Sequence, residues 1–487
     1  MPVTISANFY ELIHASLTTQ PTERVWVQWP ALPGKPAPAA DTGGSLLARI
    51  GAMSARLAHQ GVQPGQRVLL ALPVGPALLS GLLGLLAVGA VPVLPPAGST
   101  PRSMRRLARE QGIRVAVVST AVPTWARLLA RLRGLRLIVS PAGSSVALPQ
   151  RRPQAVPSHQ PALISHSSGS TGGPPKTVVR THAVLTAQHL TLRAAFPPLS
   201  GQHDFPLFPN VLLHNLAAGV TSVLPAVPAL DVRQLEAAAV VEQLRTGPVH
   251  TLTGNVFYFR QLLQYLTQQP TTFPEVVALG IGGSPVPEAL LVALQPYFPA
   301  AQRIVIYGSS EAEPLAIRDA AASPAPLPAA GYCVGHLRPE ISWELQPLGQ
   351  VRTPAGCWVQ VGELAVRGPH VAVAEAEWFL TGDFGYLDAE HRLVLTGRKG
   401  NETIVAGVQH YQLEHALSTV PGVARVAARP TPEGFTVYVQ GPADLQPALR
   451  VVLGQCFPTD LAVSFHFRTE LPVDGRHHSK ILYAQLA

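Results

Sequence analysis

A run of hydroxylated residues and glycines at residues 165–176 ends in a lysine and reads SHSSGSTGGPPK. Lysine is rare in this chain: of 36 lysines and arginines, only Lys35, Lys176, Lys399 and Lys480 are lysines. Glycines let backbone N–H groups come close to a ligand, hydroxyls add short donors, and an ammonium adds a point charge. The residue types in this run therefore favour a site that holds a polyphosphate.

Two other interpretations fit the run less well. A flexible Gly/Ser linker is not usually wedged between buried strands, nor does it usually end in a rare lysine. A Walker A loop, G-x-x-x-x-G-K-[ST], needs a glycine directly before the lysine, where this chain has Pro175. The strand-like ALIS at residues 162–165 precedes the run, and we predict a helix after it. A loop between a strand and a helix is the arrangement in which proteins hold polyphosphates.

The segments that must position this run alternate between helical and strand-like patterns from about residue 45. A helical stretch precedes RVLLALPV (67–74), a second helix, AVPVL (90–94), an Arg-rich helix and RVAVVS (114–119). The same rhythm returns at VVALGIGGSPVP (276–287), a helix near 288–294 and RIVIYGSSE (303–311). Strands that alternate with helices predict parallel α/β layers.

The last part of the chain predicts antiparallel strands and a small domain. GELAVRG (362–368) and RLVLTGR (392–398) read as antiparallel strands, which usually form a separate sheet. The tail contains three further predicted strands, VARVAARP (423–430), FTVYVQG (435–441) and LAVSFHFRTELPV (461–473). We therefore predict an α/β fold with a large N-terminal domain of layered α/β subdomains over residues 1–397 and a small α+β domain over residues 398–487.

Length and composition agree with a multidomain globular protein. The chain has 487 residues, which exceeds what one hydrophobic core usually organises. Hydrophobic residues make up 47% and charged residues 13%, so the chain can bury a large core, which argues against disorder throughout.

The formal net charge of +8 raises the question of nucleic-acid binding. The arginines are dispersed, and their densest clusters, at 102–109 and 127–136, read as solvated helix faces. Neither zinc-finger spacing nor interleaved aromatic and basic residues accompany them. We predict no nucleic-acid partner, and a basic balance also suits a polyanionic small molecule such as a nucleotide.

Residues 68–97 form an uncharged stretch that is long enough to cross a bilayer. Pro73, Gly75, Pro76 and Gly81 divide it into a short strand, a helix and a second strand, each of a length typical of a soluble core. We therefore predict no transmembrane span.

The cysteines and the N-terminus indicate a reducing compartment. Cys333, Cys357 and Cys456 are widely separated and odd in number, so they form neither a disulfide framework nor a metal motif. The first residues, MPVTISANFYELIHASL, lack a basic start before an apolar core and predict no signal peptide. We expect a cytoplasmic protein.

The motifs resemble, in order along the chain, those of the ANL superfamily of adenylate-forming enzymes, which comprises acyl-CoA synthetases, peptide-synthetase adenylation domains and luciferases. The matching segments are SSGSTGGPPKTVV (167–179), GIGGSPVP (280–287), IYGSSEAEP (306–314), GELAVRGP (362–369), FLTGDFGYLD (379–388), LTGRKGN (395–401) and LPVDGRHHSKI (471–481). The resemblance covers residues 45–487 and implies an N-terminal AMP-binding domain with a small mobile C-terminal domain. It also implies an ATP-dependent ligase that activates a carboxylic acid as its acyl-adenylate.

The resemblance assigns a role to each matching residue. The β- and γ-phosphates of ATP are expected against a set of loop residues, Ser167, Ser168, Gly169, Ser170, Thr171, Gly172 and Lys176. Adenine is expected beside Gly283 and Tyr307, with Gly308 and Ser310 in the same segment, and the ribose beside Asp383 and Arg398. Glu311 is expected to hold Mg²⁺, and Lys480 to reach from the small domain to the carboxylate and the α-phosphate. Lys480, Glu311 and Lys176 are the expected catalytic residues.

Each of these residues also has an ordinary structural explanation. Glu311 reads equally as an exposed carboxylate, and Asp383 as a turn residue or helix cap. Tyr307 reads as a core aromatic at a strand end, and Lys480 as a solvated tail lysine.

Several positions depart from the family's usual pattern. Thr177 follows Lys176 where glycine is usual, and Ser310 replaces threonine but keeps the hydroxyl. Gly400 and Asn401 end the hinge segment, which usually reads G-R-x-K-D, and Ser479 replaces the glycine before Lys480. Because hinge residues absorb domain rotation, the geometry of the second reaction step depends on Gly400 and Asn401.

The departures resemble those of the β-lactone synthetases of bacterial olefin biosynthesis, through LPVDGRHHSKI, FPLF (205–208), YCVGHLRPE (332–340) and YGSSEAEP. That resemblance implies a β-hydroxy acid whose own hydroxyl displaces AMP. A thioester formed with CoA or an acyl-carrier protein is the alternative product for a fatty acid, and an impaired nucleotide-binding homologue is the alternative to turnover. His214, in LHN (213–215), is predicted either to line the acyl pocket or to pack between helices.

Overall fold

The computed structural model describes residues 7–32, 36–96, 98–141, 152–167, 176–323, 327–373, 377–475 and 478–486. Its chain divides into two compact units that meet in sequence between Leu252 and Thr253. The boundary predicted at residue 398 lies inside the second unit and stays a prediction.

The first unit contains eight helices and ten complete strands among its described residues. The helices are α1 (Tyr10–Thr19), α2 (Gly43–His59), α3 (Pro76–Ala87), α4 (Pro101–Glu110), α5 (Thr124–Leu132), α6 (His182–Ala195), α7 (Pro209–Ala218) and α8 (Ala237–Thr246). The strands are β1 (Val25–Gln28), β2 (Asp41–Thr42), β3 (Arg67–Ala71), β4 (Val91–Val93), β5 (Val115–Val118), β6 (Arg136–Val139), β7 (Pro161–Ser167), β8 (Lys176–Thr181), β9 (His203–Pro206) and β10 (Thr221–Val223). An eleventh strand, β11 (Thr251–Asn255), continues into the second unit.

A six-stranded sheet in the order β6-β5-β3-β4-β7-β8 carries most of the predicted α/β pattern. Its first five strands are parallel, and β8 runs antiparallel to β7. The uncharged stretch forms β3, α3 and β4, as predicted, because Gly75 and Pro76 begin a helix that is buried on nearly all sides. Within the described ranges, no helix is long and apolar enough to cross a membrane.

The segment after the Gly/Ser run corrects one prediction. A strand, β8, begins at Lys176, and α6 follows only at His182. The sequence KTVVRT is rich in β-branched residues and pairs along its whole length with β7, which explains why a strand replaces the predicted helix.

The second unit contains four helices and eleven strands that lie wholly within its described residues. The helices are α9 (Val256–Gln268), α10 (Glu288–Leu294), α11 (His410–Leu417) and α12 (Gln446–Cys456). The strands are β12 (Ala278–Gly282), β13 (Gln302–Tyr307), β14 (Ala316–Asp319), β15 (Tyr332–Leu337), β16 (Ser342–Arg352), β17 (Trp358–Arg367), β18 (Phe379–Leu387), β19 (Leu393–Arg398), β20 (Arg425–Thr431), β21 (Gly434–Gln440) and β22 (Ala462–Arg468).

The strands of this unit form two sheets. The parallel pair β12–β13 continues through the antiparallel strands β14, β15, β19, β18, β17 and β16. The antiparallel strands predicted at GELAVRG and RLVLTGR therefore exist, but the prediction of a separate sheet was wrong, because β15 pairs with both β14 and β19. A three-stranded sheet, β20-β21-β22, packs its apolar face against α11 and α12.

Candidate functional site

A cleft in the second unit brings together six of the residues singled out from the sequence. They are Gly283, Tyr307, Gly308, Asp383, Arg398 and Lys480. They come from the end of β12, the end of β13, the facing strands β18 and β19, and the C-terminal segment. Residues separated by almost 200 positions in sequence therefore line one cavity.

Asp383 is the hydrogen-bonding centre of this cleft. It lies directly opposite Arg398 in the antiparallel pair β18–β19, and the two side chains form an ion pair. The hydroxyl of Tyr307 donates to Asp383 Oδ2 over 2.9 Å. Only 6% of Asp383 is exposed, so both interactions are shielded from water.

The protonation states of these side chains follow from their surroundings. The Asp383 carboxylate raises the pKa of the Arg398 guanidinium further above its ordinary value, against the opposing effect of burial. Burial, and next the charge of Asp383, raise the pKa of Tyr307 well above its ordinary value. At neutral pH the Arg398 guanidinium is therefore charged, and the Tyr307 phenol is neutral and acts as a hydrogen-bond donor.

Two glycines shape the wall of the cleft. Gly283 has φ +79°, a conformation that side chains rarely adopt. A β-carbon at Gly308 would lie 2.7 Å from the carbonyl oxygen of Ala312, so the turn after β13 closes only because residue 308 is glycine.

That turn carries Ser310 and Glu311, both half-buried. They follow the lining residue Gly308 in sequence, but neither is among the residues that line the cleft. The backbone of Glu311 is fixed because its carbonyl oxygen accepts the N–H of Ala372 over 2.7 Å.

The C-terminal segment that carries Lys480 is held by Asp474. Asp474 Oδ1 accepts the backbone N–H groups of Ser479, over 3.2 Å, and of Lys480, over 2.9 Å. The N–H of Asp474 donates in turn to the carbonyl oxygen of Lys480 over 2.9 Å. Because Asp474 is only 5% exposed, these bonds fix the backbone at the lysine.

A network of buried hydrogen bonds in the wall of the cleft, to which Glu414 and Tyr483 belong, was missed by the sequence reasoning. Glu414 of α11 accepts hydrogen bonds from the Tyr483 hydroxyl (2.9 and 3.0 Å), from His410 Nδ1 (3.0 Å) and from the N–H of Ala428 (2.9 Å). His410 Nε2 accepts the backbone N–H of Arg398 over 3.0 Å, so the proton of this neutral imidazole is on Nδ1. The network thus links the strand that carries Arg398 to the segment that carries Lys480.

Burial, and then the charge of Glu414, raise the pKa of Tyr483 well above its ordinary value, so that its hydroxyl remains a donor. The spacing of His410 and Glu414, four residues apart on one helix, was the one signal in the sequence.

The hinge positions are integrated into the second unit. Gly400 has φ +90°, which favours glycine there. The buried Asn401 donates from Nδ2 to the carbonyl oxygen of Ala428 over 2.8 Å.

The remaining predicted residues belong to the Gly/Ser run. Ser168, Gly169, Ser170, Thr171 and Gly172 lie outside the described residues, and for Ser167 only the backbone is described. Ser167 pairs with Lys176 at the ends of β7 and β8, and Lys176 is exposed. The two described ends of the run are therefore held at neighbouring positions of antiparallel strands.

His214 packs between helices of the first unit. Its Nδ1 lies 3.0 Å from Nδ1 of His189, which joins α7 to α6. Burial is the main cause that lowers the pKa of His214 to about 3 and that of His189 to about 4, so both rings are neutral at neutral pH.

The sequence of this chain matches the family model for the AMP-binding enzyme over residues 25–373. The chain therefore belongs to the AMP-binding family of adenylate-forming enzymes, the ANL superfamily, and is an acyl-adenylate-forming ligase.

Among curated relatives, it is 30% identical to an olefin β-lactone synthetase of Stenotrophomonas maltophilia strain K279a, over 91% of this chain and 90% of that protein. It is 27% identical to an olefin β-lactone synthetase of Xanthomonas campestris pv. campestris, over 91% and 89% respectively.

Solved structures confirm the predicted α/β adenylate-forming fold. O-succinylbenzoate coenzyme A synthetase (MenE) from Bacillus subtilis, in complex with ATP and magnesium ion, superimposes with a TM-score of 0.75 at 18% identity. The match covers 98% of this chain and 99% of that chain. ATP-bound MatB from Rhodopseudomonas palustris also gives 0.75 at 16% identity, over 99% and 98%.

Proposed function

We propose that this enzyme adenylates a β-hydroxy acid and closes it to a β-lactone. The observation that carries the proposal is the 30% identity to an olefin β-lactone synthetase over nine-tenths of both chains. The same segments that depart from the usual ANL pattern resemble that subgroup, and the second relative has the same name.

The cleft around Asp383 is the proposed nucleoside site. A carboxylate offers about four lone-pair positions, and Tyr307 and Arg398 use two of them, so Asp383 retains capacity for ribose hydroxyls. Arg398 supplies a fixed positive charge beside the sugar, and Gly283 and Gly308 let the backbone approach the base. The Gly/Ser run and Lys176 are the proposed partners of the β- and γ-phosphates.

Mg²⁺ is proposed to bind beside Glu311. Among the described residues, no group of three or more His, Cys, Asp or Glu side chains could enclose a metal ion. A single carboxylate with a neighbouring hydroxyl, Ser310, fits Mg²⁺, which proteins often bind through one carboxylate together with substrate phosphates. When bound, the ion would neutralise charge on the phosphates.

Lys480 is the proposed catalytic residue of the first step. A carboxylate oxygen must attack the α-phosphate while pyrophosphate leaves, so two anions have to meet. An ammonium at this point lowers the barrier because it offsets the negative charge that accumulates in the transition state. Asp474 positions that ammonium through the backbone of residues 479 and 480.

The second step needs no further substrate. The β-hydroxyl oxygen attacks the acyl carbonyl carbon, the bond to AMP breaks, and the hydroxyl proton is released. One β-lactone and one AMP form for each pyrophosphate. By holding the hydroxyl against the carbonyl, the acyl pocket would remove the entropic cost of bringing the two groups together.

The test compares two acids of equal chain length, a 3-hydroxy fatty acid and the matching unsubstituted acid. Each is incubated with the enzyme, ATP and Mg²⁺, with and without CoA, and pyrophosphate, AMP and product mass are measured. With the hydroxy acid we expect equal release of AMP and pyrophosphate without CoA, and a product that has lost one water. An ¹⁸O label in the 3-hydroxyl should remain in that product.

The unsubstituted acid is the control for lactone formation. It should support pyrophosphate exchange without continuous AMP release, because it has no internal nucleophile. AMP release that requires CoA and yields an acyl-CoA mass would replace the lactone proposal with thioester formation. ATP binding without pyrophosphate exchange for either acid would identify an impaired homologue.

A further inference from the structure

The net charge of the chain is concentrated in one segment. Residues 101–136 contain nine arginines and one acidic residue, Glu110, which gives a formal charge of +8. The whole chain has the same formal charge of +8, so the acidic and basic residues outside this segment balance. Seven of the nine arginines are exposed. The reaction site uses none of them.

Helix α5 lies in this segment and presents an apolar face to solvent. None of its nine residues is buried. Trp125 is 66%, Leu128 60% and Leu132 75% exposed, and with Leu129 at 43% they recur at the spacing of one helix face. A row of four large exposed apolar side chains on one short helix is unusual for a surface that contacts only water.

The arginines and the apolar row lie on the same side of the first unit. Helix α4 connects β4 to β5, and α5 connects β5 to β6. In the sheet order β6-β5-β3-β4, both connections cross the sheet in the same direction, towards β6. Parallel crossovers are right-handed, so both helices lie on the same face of that sheet. Helix α4 packs Met104, Leu107 and Ala108 inward, which leaves Arg102, Arg105, Arg106 and Arg109 exposed.

We propose that this face, formed by α4 and α5, docks on the surface of an anionic lipid bilayer. A helix with Trp and Leu on one face and flanking arginines is the pattern of segments that lie in the plane of a membrane interface. Trp is well suited to the headgroup region, because its ring is apolar and its N–H is polar. Helix α5 is about 14 Å long, so it can lie in the interface but cannot cross the bilayer.

Other occupants fit this face less well. A nucleic acid would satisfy the arginines but would leave the four apolar side chains without an apolar partner. A second copy of the chain, docked through the same face, would oppose the exposed arginines of one copy to the same exposed arginines of the other. A lipid surface satisfies both features, because headgroup phosphates meet the arginines and acyl chains meet the apolar row.

The proposal goes beyond the proposed reaction and does not depend on which acid is activated. The test is vesicle flotation of the full-length protein, with vesicles of phosphatidylcholine alone or mixed with phosphatidylglycerol. We expect binding to the mixed vesicles that weakens as salt is raised. Arg131→Gln with Arg133→Gln should weaken it about fivefold per arginine, and Trp125→Ala with Leu132→Ala about tenfold or more.

Matched variants separate docking from general effects. Leu190→Ala with Val451→Ala removes apolar residues that are 54% and 58% exposed elsewhere, and Arg245→Gln with Arg450→Gln removes two other exposed arginines. These pairs should bind vesicles like the parent protein. Every variant should keep its melting temperature and its pyrophosphate exchange with a short, water-soluble acid, which measures the reaction independently of docking.

Absence of binding to mixed vesicles, or equal binding by the α5 and control variants, would overturn the proposal. Capture by RNA or by an acidic polypeptide in place of vesicles would overturn it too.

Discussion

Lys480 combines an ammonium with a backbone that Asp474 fixes on both sides. We predict that Lys480→Met lowers the rate of adenylation roughly a hundredfold or more, because the transition state loses a preorganised charge. The affinity for ATP should change little, since the nucleoside site around Asp383 is intact. Pyrophosphate exchange measures the first effect and calorimetric titration with Mg·ATP the second.

Asp474→Asn is the companion variant, because it keeps the shape of the side chain and weakens only the acceptor. Its exchange rate should fall less than that of Lys480→Met. An exchange rate of Lys480→Met equal to that of the parent protein would refute the role proposed for the lysine.

Asp383 is expected to act on binding rather than on the chemical step. Asp383→Asn removes the charge that pairs with Arg398 and weakens the acceptor available to ribose hydroxyls. We predict that the dissociation constant for ATP rises roughly 10- to 100-fold, the value of one or two hydrogen bonds to a charged group. Because Asp383 is buried, the melting temperature is measured in parallel, and Tyr307→Phe serves as a milder variant that deletes one bond to the same carboxylate. An unchanged ATP affinity in folded Asp383→Asn would place the ribose elsewhere.

At the scale of elements, the contact between Tyr483 in the C-terminal segment and Glu414 in α11 is expected to affect turnover, because that segment carries Lys480. Tyr483→Phe deletes the hydroxyl that donates to Glu414 but keeps the ring against His410, 4.9 Å away between ring centres. We predict a loss of about 1.5–3 kcal/mol in the free energy of unfolding, since the bond is made to a buried carboxylate. The exchange rate should fall while ATP affinity is retained, because the change loosens Lys480 and not Asp383. Tyr438→Phe, in β21 of the same unit, is a control that should leave the exchange rate unchanged.

The turn between β13 and Glu311 tolerates only glycine at its first residue. Gly308→Ala places a β-carbon 2.7 Å from a backbone carbonyl oxygen, so the turn must shift. We predict a loss of adenylation of roughly tenfold or more, because Ser310 and Glu311 move with the turn. Gly51→Ala on α2 has open space around it and should be neutral or slightly stabilising. Equal activity of the two variants would show that the position of Glu311 does not matter.

The elements of this fold were largely predictable where local pattern and tertiary structure agree. Helix α10 has the predicted bounds, and the strands of the tail occur at their predicted positions, because their apolar residues alternate or cluster in the way that buried strands require. The helix predicted after the Gly/Ser run failed, since pairing with β7 recruits Lys176 and the residues after it into a strand. The continuation of the sheet through β15 depends on a neighbour more than fifty residues away, which no local pattern records.

In the candidate site, too, residues marked by local motifs were predictable, and residues brought together only by tertiary contacts were not. Asp383, Arg398 and Lys480 were predictable because motifs mark them. The Glu414 network was not, since the partners of that carboxylate lie on β20 and near the C-terminus.

At the scale of the whole molecule, buried histidines make stability depend on pH, and four of them have strongly lowered pKa values. Burial is the main cause that lowers the pKa of His182, His189 and His415 to about 4, and that of His214 to about 3. The ordinary value in an unfolded chain is about 6.5. Between these values the unfolded chain binds more protons than the folded one, so stability falls as pH is lowered from about 6.5 towards 4.

The size of this effect is large compared with the stability of a typical protein. At pH 5, each of these histidines is expected to cost about 2 kcal/mol relative to neutral pH. Three of them lie in the first unit, whereas typical stabilities are about 5–15 kcal/mol. We predict that the first unit unfolds before the second on acidification, which urea unfolding followed by hydrogen exchange at pH 7 and pH 5 can measure.

His415→Leu isolates the contribution of one ring in the second unit. His415 is 3% exposed, and its Nδ1 has no hydrogen-bond partner within the described part of the chain, so an apolar side chain can replace it. The variant should lose about 2 kcal/mol less than the parent protein between pH 7 and pH 5 in the free energy of unfolding of the second unit. His59→Gln, at an exposed position at the end of α2, is the matched control and should follow the parent curve. If His415→Leu and the parent protein show the same pH dependence, protonation of His415 does not drive the acid transition of that unit, and the buried His370 and the carboxylates of its ion pairs become the expected causes.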